Sequence, residues 1–269
     1  MLRPPTIPLR QNIVPCTRLI KDVKQDNILD KHPAEIVDIA LDTLQSLGIQ
    51  LVEWRSLLYR RLGVPVLVLD YSFLVPDDDL DRASDLLTRT GLPLSPPNKL
   101  FMKTYGDFYA KGRFHRITKA TRISSVQHIT LYPMSFSTLA PADLIEQSPI
   151  HIQPSRCSKI LVPRPPALFA SFVRMMTMYP RFGGTRTTLE SELSELVGYH
   201  LYGLSGGFVD ADDEGAWEEM DVDRRVSEAG QLVRQWSVEE EWRAGEEWIA
   251  DALAAIAFGA DVGELPYKT

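Results

Sequence analysis

The run from Val64 to Val75 limits most sharply what this chain can fold into. It reads Val-Pro-Val-Leu-Val-Leu-Asp-Tyr-Ser-Phe-Leu-Val, and Asp70 is its one charged residue. So apolar a run, rich in β-branched residues, predicts a strand buried on both faces. The flanks are equally directive. Arg55 to Leu62 fits a short helix that ends at Gly63. On the other side Pro76, Asp77, Asp78 and Asp79 open a helix with Leu80, Ala83, Leu86 and Leu87 on one face, closed by Gly91. Acids in a first turn suit the helix dipole, and that is how the three aspartates are read, with a ligand role as the alternative.

The same signals organise the rest. Residues 1–30 are proline-rich and then polar, and predict an extended arm. A helix opens at His32 and Pro33, with Ile36, Val37, Ile39, Ala40, Leu44 and Leu47 as its stripe and Gly48 as its stop. Ile49 to Glu53 reads as a short strand, and Phe114 to Thr118 and Val126 to Tyr132 alternate like strands. The stretch from Asp143 to Pro166, with its many prolines, is expected to be a linker. Beyond it the periodicity turns helical: Ala167 to Tyr179, Thr185 to Leu204, Ser227 to Trp236 and Val238 to Phe258, the last capped by Ser237. Asp210 to Asp223 reads as a solvated acidic loop. The predicted fold is α/β, a mixed sheet with flanking helices over residues 31–150, followed by a helical domain over 160–269.

Composition removes several function classes. A net charge of −7 argues against broad contact with nucleic acid, which needs a surplus of Lys and Arg. Cys16 and Cys157 are the two cysteines, too few and too far apart for a disulfide framework or a Cys-rich zinc site. Both are expected as free thiols in a reducing, cytoplasmic setting. No segment approaches the roughly 20 apolar residues of a membrane helix, and the proline-broken N-terminus does not read as a signal peptide.

A family resemblance follows from Trp54, Gly63-Val64-Pro65, Asp70, Val75-Pro76-Asp77, Leu86 and Gly91. Phe114-His115, the run from His128 to Tyr132, and the run from Gly198 to Tyr202 add to it. Over roughly Pro33 to Tyr202 the chain resembles fungal proteins of the nucleotidyltransferase-like fold. The resemblance implies a Gly-Ser turn for a triphosphate, and an Asp-x-Asp strand with a third carboxylate for Mg²⁺. The chain departs at each point. Arg55 stands where the turn's glycine would be; its bulk obstructs close backbone approach to phosphate, while its guanidinium offers an anion site of its own. Ser72 stands where the second aspartate would be, and a neutral hydroxyl is a poor ligand for a hard cation. Gln127, His128 and Thr130 occupy the candidate third strand, and none is acidic.

The candidate catalytic groups are therefore Asp70, Ser72, His115 and His128, with an imidazole as the natural proton carrier near neutral pH. Trp54, Arg55, Ser56, Met175, Tyr199 and Tyr202 are the candidate ligand contacts. No metal and no cofactor is expected. The histidines lack the spacing of a helical metal motif, the Gly-Gly pairs at 183–184 and 206–207 lack the Lys-Ser/Thr of a phosphate loop, and Gly-x-Ser-x-Gly is absent. Three functions remain open. One is a cleft for a small organic molecule, with metal-free isomerisation or cyclisation, including a pericyclic step. The second is a Mg²⁺-dependent nucleotidyltransferase with an unusual site. The third is a non-catalytic partner-binding protein, with the tryptophan-bearing C-terminal helices as the contact, including for a homo-oligomer.

Overall fold

The computed structural model describes residues 27–96, 98–122, 125–204, 214–239 and 241–266. Most of the expected N-terminal arm, Cys16 and the first part of the acidic loop lie outside these residues, as does the side chain of Trp217. The order of elements is α1 (Pro33–Ser46), β1 (Val52–Trp54), α2 (Ser56–Arg61), β2 (Tyr71–Val75), α3 (Leu80–Arg89), α4 (Lys99–Tyr105), α5 (Asp107–Ala110), β3 (Arg113–Arg116), β4 (His128–Pro133), β5 (Leu144–Gln147), β6 (Ile160–Pro163), α6 (Pro165–Thr177), α7 (Gly184–Leu196), α8 (Glu214–Glu219), α9 (Val222–Val238) and α10 (Glu247–Ala257). The strands form one six-stranded sheet in the order β3-β4-β2-β1-β6-β5. It is mixed: β2 runs parallel to β4 and β1 to β6, and the other neighbours are antiparallel.

Side chains alternate across a strand, so the register sorts residues by face. Trp54 pairs with Ser72, Ser72 with Thr130, and Thr130 with Phe114, which puts all four on one face. The Trp54 indole stacks on Phe172 of α6, at 6.2 Å between ring centroids, so this face looks toward α6. Tyr71, Ile129 and His115 form a row on the opposite face, where Ser84 of α3 reaches His115.

Four expectations change. The described part of the stretch expected as an acidic loop, 214–223, forms α8 and the start of α9. The strand expected over Val64 to Val75 joins the ladder only from Tyr71, and Leu67 and Leu69 are 78% and 52% exposed. The cause is the length of the neighbours. β1 has three residues and β4 begins at His128, so nothing lies alongside residues 64–70 to pair with. The stretch from Asp143 to Pro166 is not a linker. It supplies β5 and β6, and β6 pairs with β1 inside the sheet. The buried Asp38 carboxylate of α1 holds the turn between them, accepting from the Ser155 hydroxyl at 2.6 Å and the Arg156 N–H at 3.0 Å. The sheet thus crosses the expected boundary at 150–160, and one apolar core runs from Ile36 to Leu265. Ser237 does not cap a helix either. It lies within α9, and α10 starts only at Glu247, because the chain turns back between them. Trp242 Nε1 donates to Ser237 Oγ at 2.9 Å in that turn, and its ring meets Trp236 edge-on. Of the tryptophans on the C-terminal helices, Trp248 on α10 is 39% exposed. Among the described residues no helix is long and apolar enough to cross a membrane.

Candidate functional site

The site begins at the turn from β1 into α2. Arg55 sits there at φ 54°, ψ −126°, a backbone conformation that favours glycine. An arginine holds that conformation here, at a cost on the order of 1–3 kcal/mol. The side chain offsets this through three contacts. Arg55 Nε donates to Glu192 Oε1 of α7 at 2.9 Å, its Nη2 reaches the same oxygen, and its guanidinium lies 4.6 Å from the centre of the Phe108 ring. The Tyr59 hydroxyl donates to the other oxygen, Glu192 Oε2, at 2.5 Å. Burial opposes the charge on Arg55, and Glu192, aided by Tyr132 and Tyr59, more than compensates, so its pKa lies above the ordinary arginine value. Burial, then Glu192, pushes the Tyr59 phenol well up. The turn is therefore filled by an internal ion pair, and its Glu192 carboxylate would repel an anion there.

On one side of this bridge is a cavity of about 310 Å³, lined by Arg55, Asp70 and His128 and walled by aromatic side chains. The wall is an interlocked set. Tyr109 stacks on Phe114 at 4.5 Å, Phe101 meets Tyr109 edge-on at 5.3 Å, and Phe114 meets His128 edge-on at 5.8 Å. Tyr132 forms part of the floor, donates to the Phe108 carbonyl at 2.8 Å, and has its pKa pushed up to about 12 by burial. A second cavity, about 470 Å³, lies beyond the bridge; Ser56, Tyr59, Thr188, Ser191, Glu192 and Glu195 are in its lining.

Asp70 and His128 meet at the edge of the first cavity. Asp70 precedes β2 and His128 opens the parallel β4, and the parallel pairing of these strands brings the two together. Asp70 Oδ1 accepts the His128 backbone N–H at 2.8 Å and lies 3.3 Å from His128 Nδ1. His128 Nε2 is 3.0 Å from the Ser95 hydroxyl.

The other expected residues divide by face and depth. Ser72 is buried within β2 beside Thr130, its partner across the parallel pair. Trp54 is fully buried against Phe172, and Met175 is core on α6. His115 is on the opposite face and fully buried: its Nδ1 meets the Leu92 carbonyl at 3.1 Å and its Nε2 the Ser84 hydroxyl at 2.9 Å. It does not join His128 in the cleft, because their register in the antiparallel pair is offset by one residue and alternation sends them to opposite faces. Ser56 faces the second cavity. Tyr199 packs on the core, and the Tyr202 hydroxyl donates to the Ala257 carbonyl at 3.2 Å, tying α10 down. Thus Arg55, Asp70 and His128 gather, and Glu192, Ser95 and the aromatic wall join them without a motif to announce them. The periodicity offers one clue, the cluster of Phe101, Tyr105, Phe108 and Tyr109 between two strands. Among the described residues no three His, Cys, Asp or Glu side chains gather as a metal-binding group.

No family model, no curated protein and no solved structure matches the chain.

Proposed function

We propose that this chain is a nucleotidyltransferase-like fold whose site has been given over to a small, largely aromatic organic molecule. Asp70 and His128 carry out proton transfer on it without metal, in an isomerisation or cyclisation. The observation that carries the reading is the Asp70–His128 contact at the edge of a cavity walled by Phe101, Tyr109, Phe114 and Tyr132. Ring faces bind planar apolar ligands by offset stacking and edge contacts, each worth about 0.5–1.5 kcal/mol beyond burial. A shaped apolar cleft also holds a ligand near its reactive geometry. The donor set at the turn speaks against nucleotide use. Ser72 and Thr130 are hydroxyls where Mg²⁺ favours carboxylates, and Glu192 already occupies Arg55.

The test is a thermal-shift and calorimetry series with single-ring and two-ring aromatic compounds, run beside ATP, CTP and GTP with Mg²⁺. Aromatic compounds are expected to raise the melting temperature, and Tyr109→Ala to abolish the rise. Saturable Mg²⁺-dependent nucleotide binding, lost in Asp70→Asn, with no response to the aromatic series, sinks the reading.

A further inference from the structure

We propose that the aromatic-walled cavity recognises an organic cation, a methylated ammonium group carried on a small ring. Its receptors are the faces of Phe101, Tyr105, Tyr109 and Phe114 and the Asp70 carboxylate. The inference rests on the small-molecule reading of this cavity and adds the charge of the ligand.

The rings of this wall are not spent on the core. Trp54, Phe73, Phe136, Phe169 and Phe172 are sealed from solvent. Phe101, Tyr109 and Phe114 are only half-buried and Tyr105 is 44% exposed, yet all four line one cavity. Their planes cross. Phe101 stands at 71° to Tyr105 and 72° to Tyr109, with ring centroids 5.8 Å and 5.3 Å away, and Phe114 stands at 81° to Tyr132. Rings set nearly at right angles turn their faces in more than one direction around the same space. An aromatic face is the negative pole of the ring, so such a box attracts a positive group even when that group has no hydrogen to donate.

One ring of the cavity already carries a cation, the Arg55 guanidinium 4.6 Å from the centre of Phe108. Arg55 does not repel a second one strongly, because its Nε and Nη2 both bond to Glu192 Oε1 and the pair is neutral. The unbalanced charge in the lining belongs to Asp70. Its Oδ1 accepts the His128 backbone N–H at 2.8 Å, which leaves Oδ2 open. Its field falls on the rings. Burial chiefly keeps the Tyr109 phenol protonated, a backbone bond at Asn98 opposes, and the Asp70 charge adds to the rise. Asp70 acts in the same sense on Tyr132. A negative charge that hinders proton loss from these phenols favours a cation between them. Asp70 is half-exposed, so water screens its pull and the ring faces supply the larger share.

The supply of acceptors selects the kind of cation. A primary ammonium brings three N–H groups that each need an acceptor once water is stripped away. The Tyr132 hydroxyl is directed to the Phe108 carbonyl, and the side chains of Phe101, Phe108, Phe114 and Val126 accept nothing. A fully methylated ammonium sets methyl groups against the rings and needs no acceptor. About 310 Å³ is the small end of ligand cavities, which suits such a head with one ring attached.

The experiment is calorimetric titration of the full chain with benzyltrimethylammonium, benzylamine and the uncharged benzyl alcohol. Choline and 3,3-dimethylbutanol, its uncharged carbon analogue, form a second comparison. Benzyltrimethylammonium is expected to bind tightest, about tenfold tighter than benzyl alcohol, and choline to exceed its analogue in the same way. Tyr109→Leu is expected to weaken the cation about fivefold, while Tyr109→Phe, which keeps the ring face, leaves it bound. Asp70→Asn still accepts the His128 N–H through its amide oxygen, and is expected to weaken the cation about threefold without changing benzyl alcohol. If Tyr109→Leu does not fold, Phe101→Leu and Asp70→Asn decide. Cation affinity unchanged in these variants overturns the proposal, and a trimethyl-lysine peptide binding more tightly than benzyltrimethylammonium overturns the small-ring ligand. Benzyl alcohol bound as tightly as the cation refutes the charge alone, whereas no binding by any of the compounds removes the cavity reading beneath it.

Discussion

The Arg55 guanidinium and the Glu192 carboxylate, 137 residues apart in sequence, close the turn between β1 and α2 from the inside. Arg55 holds a backbone conformation that favours glycine, and Glu192 is what makes an arginine tolerable there. Two substitutions should therefore behave unequally. Glu192→Ala strands a partly buried guanidinium and the Tyr59 hydroxyl, and is expected to destabilise the fold by about 2–4 kcal/mol. Arg55→Gly loses the same ion pair but relaxes the backbone by about 1–3 kcal/mol and leaves Tyr59 on Glu192, so it should be the milder change. Urea unfolding of both variants decides, and Arg55→Gly proving the worse of the two would remove the strain argument.

Gly106 joins α4 to α5 and so sets the aromatic wall against α7. It lies at φ 55°, and a Cβ there would fall 2.2 Å from Thr185 Oγ1 and 2.9 Å from the Thr185 nitrogen. Gly106→Ala has to push α4 and α5 off α7 while straining its own backbone. The expected loss is about 2–4 kcal/mol, with any aromatic-ligand thermal shift lost as well. Denaturant titration and the ligand series check the two halves separately.

Tyr132 ties the floor of the cavity to its wall through its bond to the Phe108 carbonyl. Tyr132→Phe keeps the ring and its stack with Phe136, at 5.6 Å, but leaves that buried carbonyl without its partner. A loss of about 1–3 kcal/mol is expected by chemical denaturation, while a change to Leu should cost more because it also removes ring contacts.

What the sequence made legible was whatever rests on local signals. Helix α1, with its proline start and glycine stop, and α3, with its acidic first turn, fall close to where spacing predicts them. The apolar run marked the strand that follows Asp70, though not where pairing begins, because pairing depends on how long the neighbouring strands are. β5 and β6 hid behind prolines: Pro149 and Pro154 lie in the turn between them, Pro163 ends β6, and Pro165 and Pro166 open α6. His115 and His128 both alternate within apparent strands, and only the register shows that they face opposite ways. Glu192 and Ser95 were out of reach for the same reason. Each meets its partner only through the fold, Glu192 with Arg55 and Ser95 with His128, and neither sits in a local pattern that marks it.

His115 gives the fold a built-in sensitivity to acid. It is fully buried, and its two ring nitrogens are matched to one acceptor, the Leu92 carbonyl, and one hydroxyl, Ser84. A carbonyl can only accept, so Nδ1 carries the proton and Nε2 accepts from Ser84, which satisfies the neutral ring. Burial, the largest influence, lowers its pKa below 6.5, with the Leu92 carbonyl opposing and His128 adding to the fall. His200 is lowered in the same direction by burial. When the folded pKa is depressed, the unfolded chain takes up the proton first. The stability is whole above a pH of about 6.5 and is lost as the pH falls toward the folded pKa, at up to about 1.4 kcal/mol per pH unit for each such histidine. His115→Gln should lower stability at neutral pH by breaking a buried network, yet flatten the decline as the pH falls below about 6.5. Urea midpoints across that range read the slope directly, and equal slopes in the native chain and His115→Gln would show that His115 is not the group responsible.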